Sequence, residues 1–131
     1  MMNSTVVAFP SSHPGGLEST IGAHFGHCDL YTLVEVANGE VQKVRTLPNV
    51  PHQQGGCMAP VNHLAQNGVQ VLIAGGMGMR PLMGFNQVGI DVFYGGSART
   101  VGEALEAFLR GSLQLFTREF TCGGGGGAAY R

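Results

Sequence analysis

Apolar and polar positions change their spacing several times along this chain, and each change marks an element. Thr5 to Phe9 is a short apolar, β-branched run stopped by Pro10, which predicts a first strand in a central position. Residues 10–26 lose all periodicity and are rich in Ser, Pro and Gly, a loop composition. Leu30 to Val36 and Val41 to Leu47 then flank Ala37-Asn38-Gly39-Glu40. Asn-Gly between β-prone runs is a strong signal for an antiparallel hairpin, because both central residues of the tight turn need positive φ. Pro48 and Pro51 end the second arm and open a loop that holds His52 and Cys57.

From Met58 to Gln66 the apolar positions Met58, Val61, Leu64 and Ala65 fall at helical spacing, and Asn67-Gly68 supplies a stop. Val69 to Ala74 is a continuous apolar run of the kind buried on both faces of a parallel sheet. Gly75-Gly76-Met77-Gly78-Met79 interrupts it before a short helix near Arg80 to Asn86, and Val88 to Tyr94 repeats the strand pattern. Thr100-Val-Gly-Glu103 is a capping box that opens a last helix, with Val101, Ala104, Leu105, Phe108 and Leu109 as its buried stripe and Gly111 as its stop. These elements predict an α/β fold, a mixed five-stranded sheet flanked by helices. Residues 1–113 form the single domain, and residues 114–131, with Gly123 to Gly127 unbroken, form a flexible tail.

Bulk composition narrows the function. At 131 residues the chain is long enough to bury one core without staples. It is 44% hydrophobic, yet no apolar run approaches the roughly 18 residues that span a bilayer. Met1-Met-Asn-Ser-Thr lacks the pattern of a signal peptide, so the cytoplasm is the default expectation and no membrane is expected. A net charge of −1 with 11% charged residues leaves no basic stripe for nucleic acid. Three cysteines, at 28, 57 and 122, fit neither a disulfide framework nor a CxxC zinc knuckle and read as free thiols.

Two glycine-rich loops carry the candidate chemistry. Gly22-Ala-His24-Phe25-Gly26-His27-Cys28-Asp29 gathers two imidazoles and a thiol, and His52-Gln-Gln-Gly55-Gly56-Cys57-Met58 adds an imidazole, a thiol and a thioether. Brought together, they offer soft sulfur and nitrogen donors to a metal or a metal–sulfur cluster. Free cysteines are often small buried hydrophobes; the polar loops around Cys28 and Cys57 argue instead for ligands, with His52 and Met58 beside them. His24 and His27 could chelate or simply bond loop carbonyls, His13 reads as solvated and His63 as a partly buried helix residue. Met77, Met79 and Met83 read as gap-fillers of the core. Gly76-Met-Gly78-Met-Arg80 is a weak nucleotide signal, with Pro81 in place of a third glycine. It still exposes backbone N–H groups at a helix start beside Arg80, which suits an anion. Walker and Gly-x-Ser-x-Gly motifs are absent, and the eight acidic residues are scattered singly, so hydrolytic machinery is not visible.

The succession Gly-x-His-Phe-Gly at 22–26, Asn-Gly hairpin, Gly-Gly-Cys loop, Val-Leu-Ile-Ala-Gly-Gly-Met-Gly, Gly-Ile-Asp-Val-Phe-Tyr-Gly-Gly and Val-Gly-Glu-Ala-Leu resembles the dinitrogenase iron–molybdenum cofactor biosynthesis family over roughly residues 5–113. That family includes NifX proteins, the C-terminal domain of NifB and the orange protein of sulfate reducers. The resemblance implies a ribonuclease-H-like fold without nuclease activity that carries metal–sulfur clusters or their precursors. It places His24, Phe25, Gly26, Gly55, Gly56 and Cys57 on the cluster-facing loops, with Gly75, Gly76 and Gly78 on the same rim. Many relatives have an arginine and a small residue where this chain has His27-Cys28, which exchanges a cation for a soft donor pair.

The expectation is therefore a small, non-catalytic cytoplasmic carrier of a metal–sulfur cluster of iron–molybdenum type or a precursor. His24, Phe25, Gly26, His27, Gly55, Gly56, Gly76, Gly78 and Arg80 contact the cluster, and Cys28, Cys57, His52 and Met58 ligate metal. A cluster donor or acceptor protein would be its partner. The alternatives are an orange-protein-like holder of a molybdenum–copper sulfide cluster and a metal-free regulatory or assembly module of the same fold. A thiol redox pair of Cys28 and Cys57 is a further rival, and Cys122 reads as a third ligand or an inert thiol on the tail.

Overall fold

The computed structural model of the chain describes residues 4–22, 28–49, 58–95 and 98–117. Six strands form one mixed sheet: β1 (Thr5–Ser11), β2 (Leu30–Ala37), β3 (Glu40–Pro48), β4 (Val71–Ala74), β5 (Asp91–Tyr94) and β6 (Gln114–Leu115), in the order β3-β2-β1-β4-β5-β6. Three helices accompany them, α1 (Met58–Gln66), α2 (Met79–Val88) and α3 (Val101–Leu109). β1, β4 and β5 run parallel, while β2, β3 and β6 are antiparallel to their neighbours.

β1 is central, as its run of apolar residues predicts, and its alternation sorts the core into two layers. Ala8 joins Tyr31, Leu33, Leu72 and Val92 beneath α1 and α2, where Val61, Leu64, Leu82 and Phe85 pack. Val7 and Phe9 join Val34, Ile73 and the α3 residues Val101, Ala104 and Leu105 on the opposite face. Each face of the sheet is thus covered by helix, the arrangement that buries both sides of parallel strands.

Several boundaries differ from the sequence reading. β1 continues through Pro10 to Ser11: the Pro10 carbonyl turns to the Gly22 N–H (2.7 Å), on the side where β1 no longer pairs with β4, so the missing proline N–H costs no ladder bond. α2 runs on to Val88 because Gly89, at φ 83°, closes the helix, with the Ile90 N–H reaching back to the Phe85 carbonyl (2.9 Å). The strand expected from Val88 therefore begins at Asp91. Leu109, expected in the buried stripe of α3, is exposed, whereas Phe108 of the same stripe packs against the core and meets Phe93 at 5.2 Å between ring centroids. The sixth strand comes from residues assigned to the tail: Gln114–Leu115 pair with β5 and Phe116 is buried. The glycine run at 123–127 and Cys122 lie outside the described residues.

The hairpin forms as expected, with Asn38 at φ 56° and Gly39 at φ 78°. The loop after β1 folds back over the far face of β2 and β3, where Gly15 (φ 86°) approaches so closely that an added Cβ would sit 2.6 Å from the Thr46 methyl. A directed chain holds it there: the Gly16 N–H donates to Thr32 Oγ1, Thr32 to Ser11 Oγ, and Ser11 to the Phe9 carbonyl. Among the described residues no helix is long and apolar enough to cross a membrane.

Candidate functional site

The carboxyl ends of β1, β4 and β5 share one edge of the sheet. β2 begins and β3 ends at that edge, since Ser11 pairs with Leu30 and Leu30 with Pro48. Gly22, Cys28, Asn49, the Gly75–Gly78 turn and Gly95 therefore gather there. β1 and β4 stop pairing after Ala8 and Leu72 and feed connections in opposite directions. Open α/β sheets bind ligands at such a switch point.

Cys28 sits against Gly22, where a Cβ added to Gly22 would be 3.3 Å from the Cys28 Cβ. Its side chain is half-buried against the α1–α2 core and is not in a disulfide. One side of this thiol packs, and the residue stays partly accessible. His24, Phe25, Gly26, His27, His52, Gly55, Gly56 and Cys57 lie outside the described residues, as does the side chain of Met58 at the start of α1. Among the described residues no three His, Cys, Asp or Glu side chains form a metal-holding group.

The remaining sequence candidates separate clearly. His13 is exposed, and its backbone N–H donates to Asp29 Oδ2 (3.2 Å). His63 is half-buried on α1, with Nε2 2.9 Å from the Pro48 carbonyl. Met77 fills the core and Met79 packs partly against it, whereas Met83 is 50% exposed and does not fill the core.

A three-residue network that the sequence reading missed holds Cys28 in place. The Tyr31 hydroxyl, fully buried in β2, donates to Asn49 Oδ1 (3.0 Å), and Asn49 Nδ2 donates to the Cys28 carbonyl (2.9 Å). Burial pushes the Tyr31 hydroxyl far above the usual phenol range, and the nearby Cys28 charge and a hydrogen bond to Cys28 add to it. Tyr31 thus stays neutral and able to donate. The pattern gave no cue, because Tyr31 reads as an apolar strand position and Asn49 as a turn residue between two prolines.

Gly76, Gly78 and Arg80 build the third part of the edge. Gly76 is buried under the turn, Gly78 is the N-cap of α2 in extended conformation, and no side chain among the described residues caps it. Pro81 brings no N–H to this first turn, so Met79 and Arg80 supply its donors. Arg80 is exposed and makes no ion pair among the described residues. A helix start of this kind, with a cation beside it, favours an anion.

Comparison with known proteins places this architecture. An uncharacterised protein of Methanocaldococcus jannaschii is 30% identical over 98 residues, covering 73% of this chain and 82% of that one. The NMR structure of a NifB-like protein from Thermotoga superposes with a TM-score of 0.70 at 28% identity, covering 88% of this chain and 98% of that one. The apo orange protein from Desulfovibrio gigas shares the fold, with a TM-score of 0.71 at 21% identity over 88% of this chain and 96% of that one. The family model for dinitrogenase iron–molybdenum cofactor proteins matches residues 3–111, and the chain belongs to that family, whose members are tied to making or carrying the cofactor.

Proposed function

We propose that the chain carries an anionic metal–sulfur cluster of iron–molybdenum cofactor type, or a precursor, with no turnover chemistry of its own. The observation that supports this most is the meeting at one sheet edge of the Cys28 thiol, the end of β3 that leads towards His52 and Cys57, and the uncapped start of α2. These groups suit such a cargo. Thiolate is a soft donor for iron, molybdenum or copper, while the Met79 and Arg80 N–H groups and the Arg80 guanidinium suit sulfide edges. His24, His27, His52, Cys57 and Met58 enter as further ligands, and Phe25, Gly26, Gly55 and Gly56 as contacts, through the sequence and family likeness. The strand order β3-β2-β1-β4-β5 with β2 antiparallel favours reading the core as ribonuclease-H-like. The cargo would pass between a donor and an acceptor protein in the cytoplasm, with neither nucleic acid nor membrane involved.

A molybdenum–copper sulfide cargo is the second reading, favoured by the half-buried Cys28 thiol, a donor suited to copper(I). Metal and acid-labile sulfide analysis, with an absorption spectrum, on protein isolated or reconstituted without oxygen decides between them. Stoichiometric iron or molybdenum with sulfide is the expected result, and molybdenum with copper would select the second reading. No uptake after both reconstitutions would overturn both in favour of a metal-free regulatory or assembly module. Acid adds a second axis: histidines that ligate metal would release it on protonation, whereas histidines that only donate hydrogen bonds would hold it more firmly.

A further inference from the structure

We infer that Asn49 is a positioning residue that ties the end of β3 to Cys28, and so fixes where the Cys28 thiol stands at the sheet edge for a cluster. The inference rests on the carrier reading above. The Asn49 side chain bonds at once to the buried strand β2, through Tyr31, and to the backbone of Cys28, 21 positions away in sequence. Its amide can act in one orientation only. The Cys28 carbonyl accepts and cannot donate, so it must receive the NH2 group, which leaves Oδ1 for the Tyr31 O–H.

The neighbourhood of Asn49 is held independently. Pro48, just before it, pairs with Leu30 and takes the His63 ring on its carbonyl. Removing the Asn49 amide should therefore leave the end of β3 in place and loosen the Cys28 backbone, while the Tyr31 contact to the Cys28 side chain remains. The bond is made to the Cys28 backbone, so it fixes where the residue stands at the sheet edge. Partners that orient metal ligands in this way commonly change affinity by about 10- to 100-fold when lost.

The test uses the full chain with Asn49→Ala and Asn49→Asp, the second keeping an acceptor for Tyr31 but losing the donor to Cys28. Iodoacetamide alkylation of Cys28 is followed by mass spectrometry on metal-free protein. Release to a chelator is followed on protein reconstituted with iron, sulfide and molybdate. Both variants should alkylate Cys28 several-fold faster than wild type, and Asn49→Ala, which adds no charge to repel an anion, should release the cluster about tenfold faster. The thermal midpoint of Asn49→Ala should also fall, because the buried Tyr31 O–H loses its acceptor, whereas that of Asn49→Asp should stay closer to wild type. Wild-type alkylation and release in both variants would overturn the inference, as would a lowered midpoint with both rates unchanged. If the wild type takes up no cluster, the carrier reading fails on its own account. The alkylation rates then decide: a several-fold rise upholds the tie, and an unchanged rate overturns it.

Discussion

Helices α2 and α3 start at the same edge of the sheet, and their first turns are finished in opposite ways. In α3 the Val101 and Gly102 N–H groups donate to the Ser19 and Leu17 carbonyls (3.0 and 2.7 Å), and Thr100 Oγ1 takes the Glu103 N–H (3.2 Å). Glu103 Oε1 in turn accepts from the Arg99 N–H (2.9 Å). Every early donor of α3 is consumed by its own chain. The start of α2 has glycine as its cap and a proline in its first turn, and no described side chain closes it. Orphan donors at a helix start are normally satisfied somewhere, so the contrast teaches which terminus the fold uses to hold itself together and which, on the proposed carrier function, would be open to the cargo.

The strongest way to break the contrast is to dislodge the loop that closes α3. Gly15→Ala would force a side chain into positive φ and bring its Cβ to 2.6 Å from Thr46 and 3.0 Å from Leu30. The combined strain and overpacking should cost about 2–3 kcal/mol of stability. Denaturant unfolding should show this, and protection from hydrogen exchange should fall at Val101 and Gly102 while the start of α2 is unchanged. An unaltered midpoint would mean that the loop does not support α3.

Much of this contrast was legible in the sequence, and what was not has a physical reason. Thr100 and Glu103 stand three apart, so a local rule finds the cap, and Asn38-Gly39 fixes the hairpin in the same way. Local rules missed the end of α2, because Val88-Gly89-Ile90 reads equally as a strand until Gly89 adopts left-handed geometry. They also missed β6, whose two residues become a strand only against Phe93 and Tyr94. At the site, the sequence named Cys28, Gly78 and Arg80 one by one. Their meeting, and the Tyr31–Asn49–Cys28 network, depend on strand order, which no spacing of residues along the chain encodes.

A reciprocal pair of substitutions sharpens the comparison by exchanging the two chemistries. Gly78→Asp would give α2 a cap: the position is extended, and its added Cβ meets only the Pro81 ring at an ordinary 3.8 Å. Thermal stability should rise slightly, by about a few tenths of a kcal/mol. Cluster retention should fall about tenfold, equivalent to about 1.4 kcal/mol, because the carboxylate takes an N–H and repels an anion. Thr100→Ala should do the opposite, lowering stability by about 1 kcal/mol with cluster retention unchanged. Thermal unfolding and chelator-driven release on both variants check the pair. Retention falling in Thr100→Ala and not in Gly78→Asp would move the anion from the start of α2 to that of α3 and overturn the assignment.

The smallest expected effect separates the charge at the start of α2 from its backbone. Arg80 is exposed and without an ion pair among the described residues, so Arg80→Gln should leave folding stability within about 0.5 kcal/mol of wild type. An exposed guanidinium acts on a bound anion through a field that salt screens over about 8 Å at physiological ionic strength. Cluster release from Arg80→Gln should thus be a few-fold faster at low salt and should converge with wild type as salt is raised. The backbone donors of Met79 and Arg80 survive this substitution, so the variant should still hold its cargo better than Gly78→Asp. A release rate that stays elevated at high salt would mean that Arg80 contacts the cargo directly, as a hydrogen-bond donor.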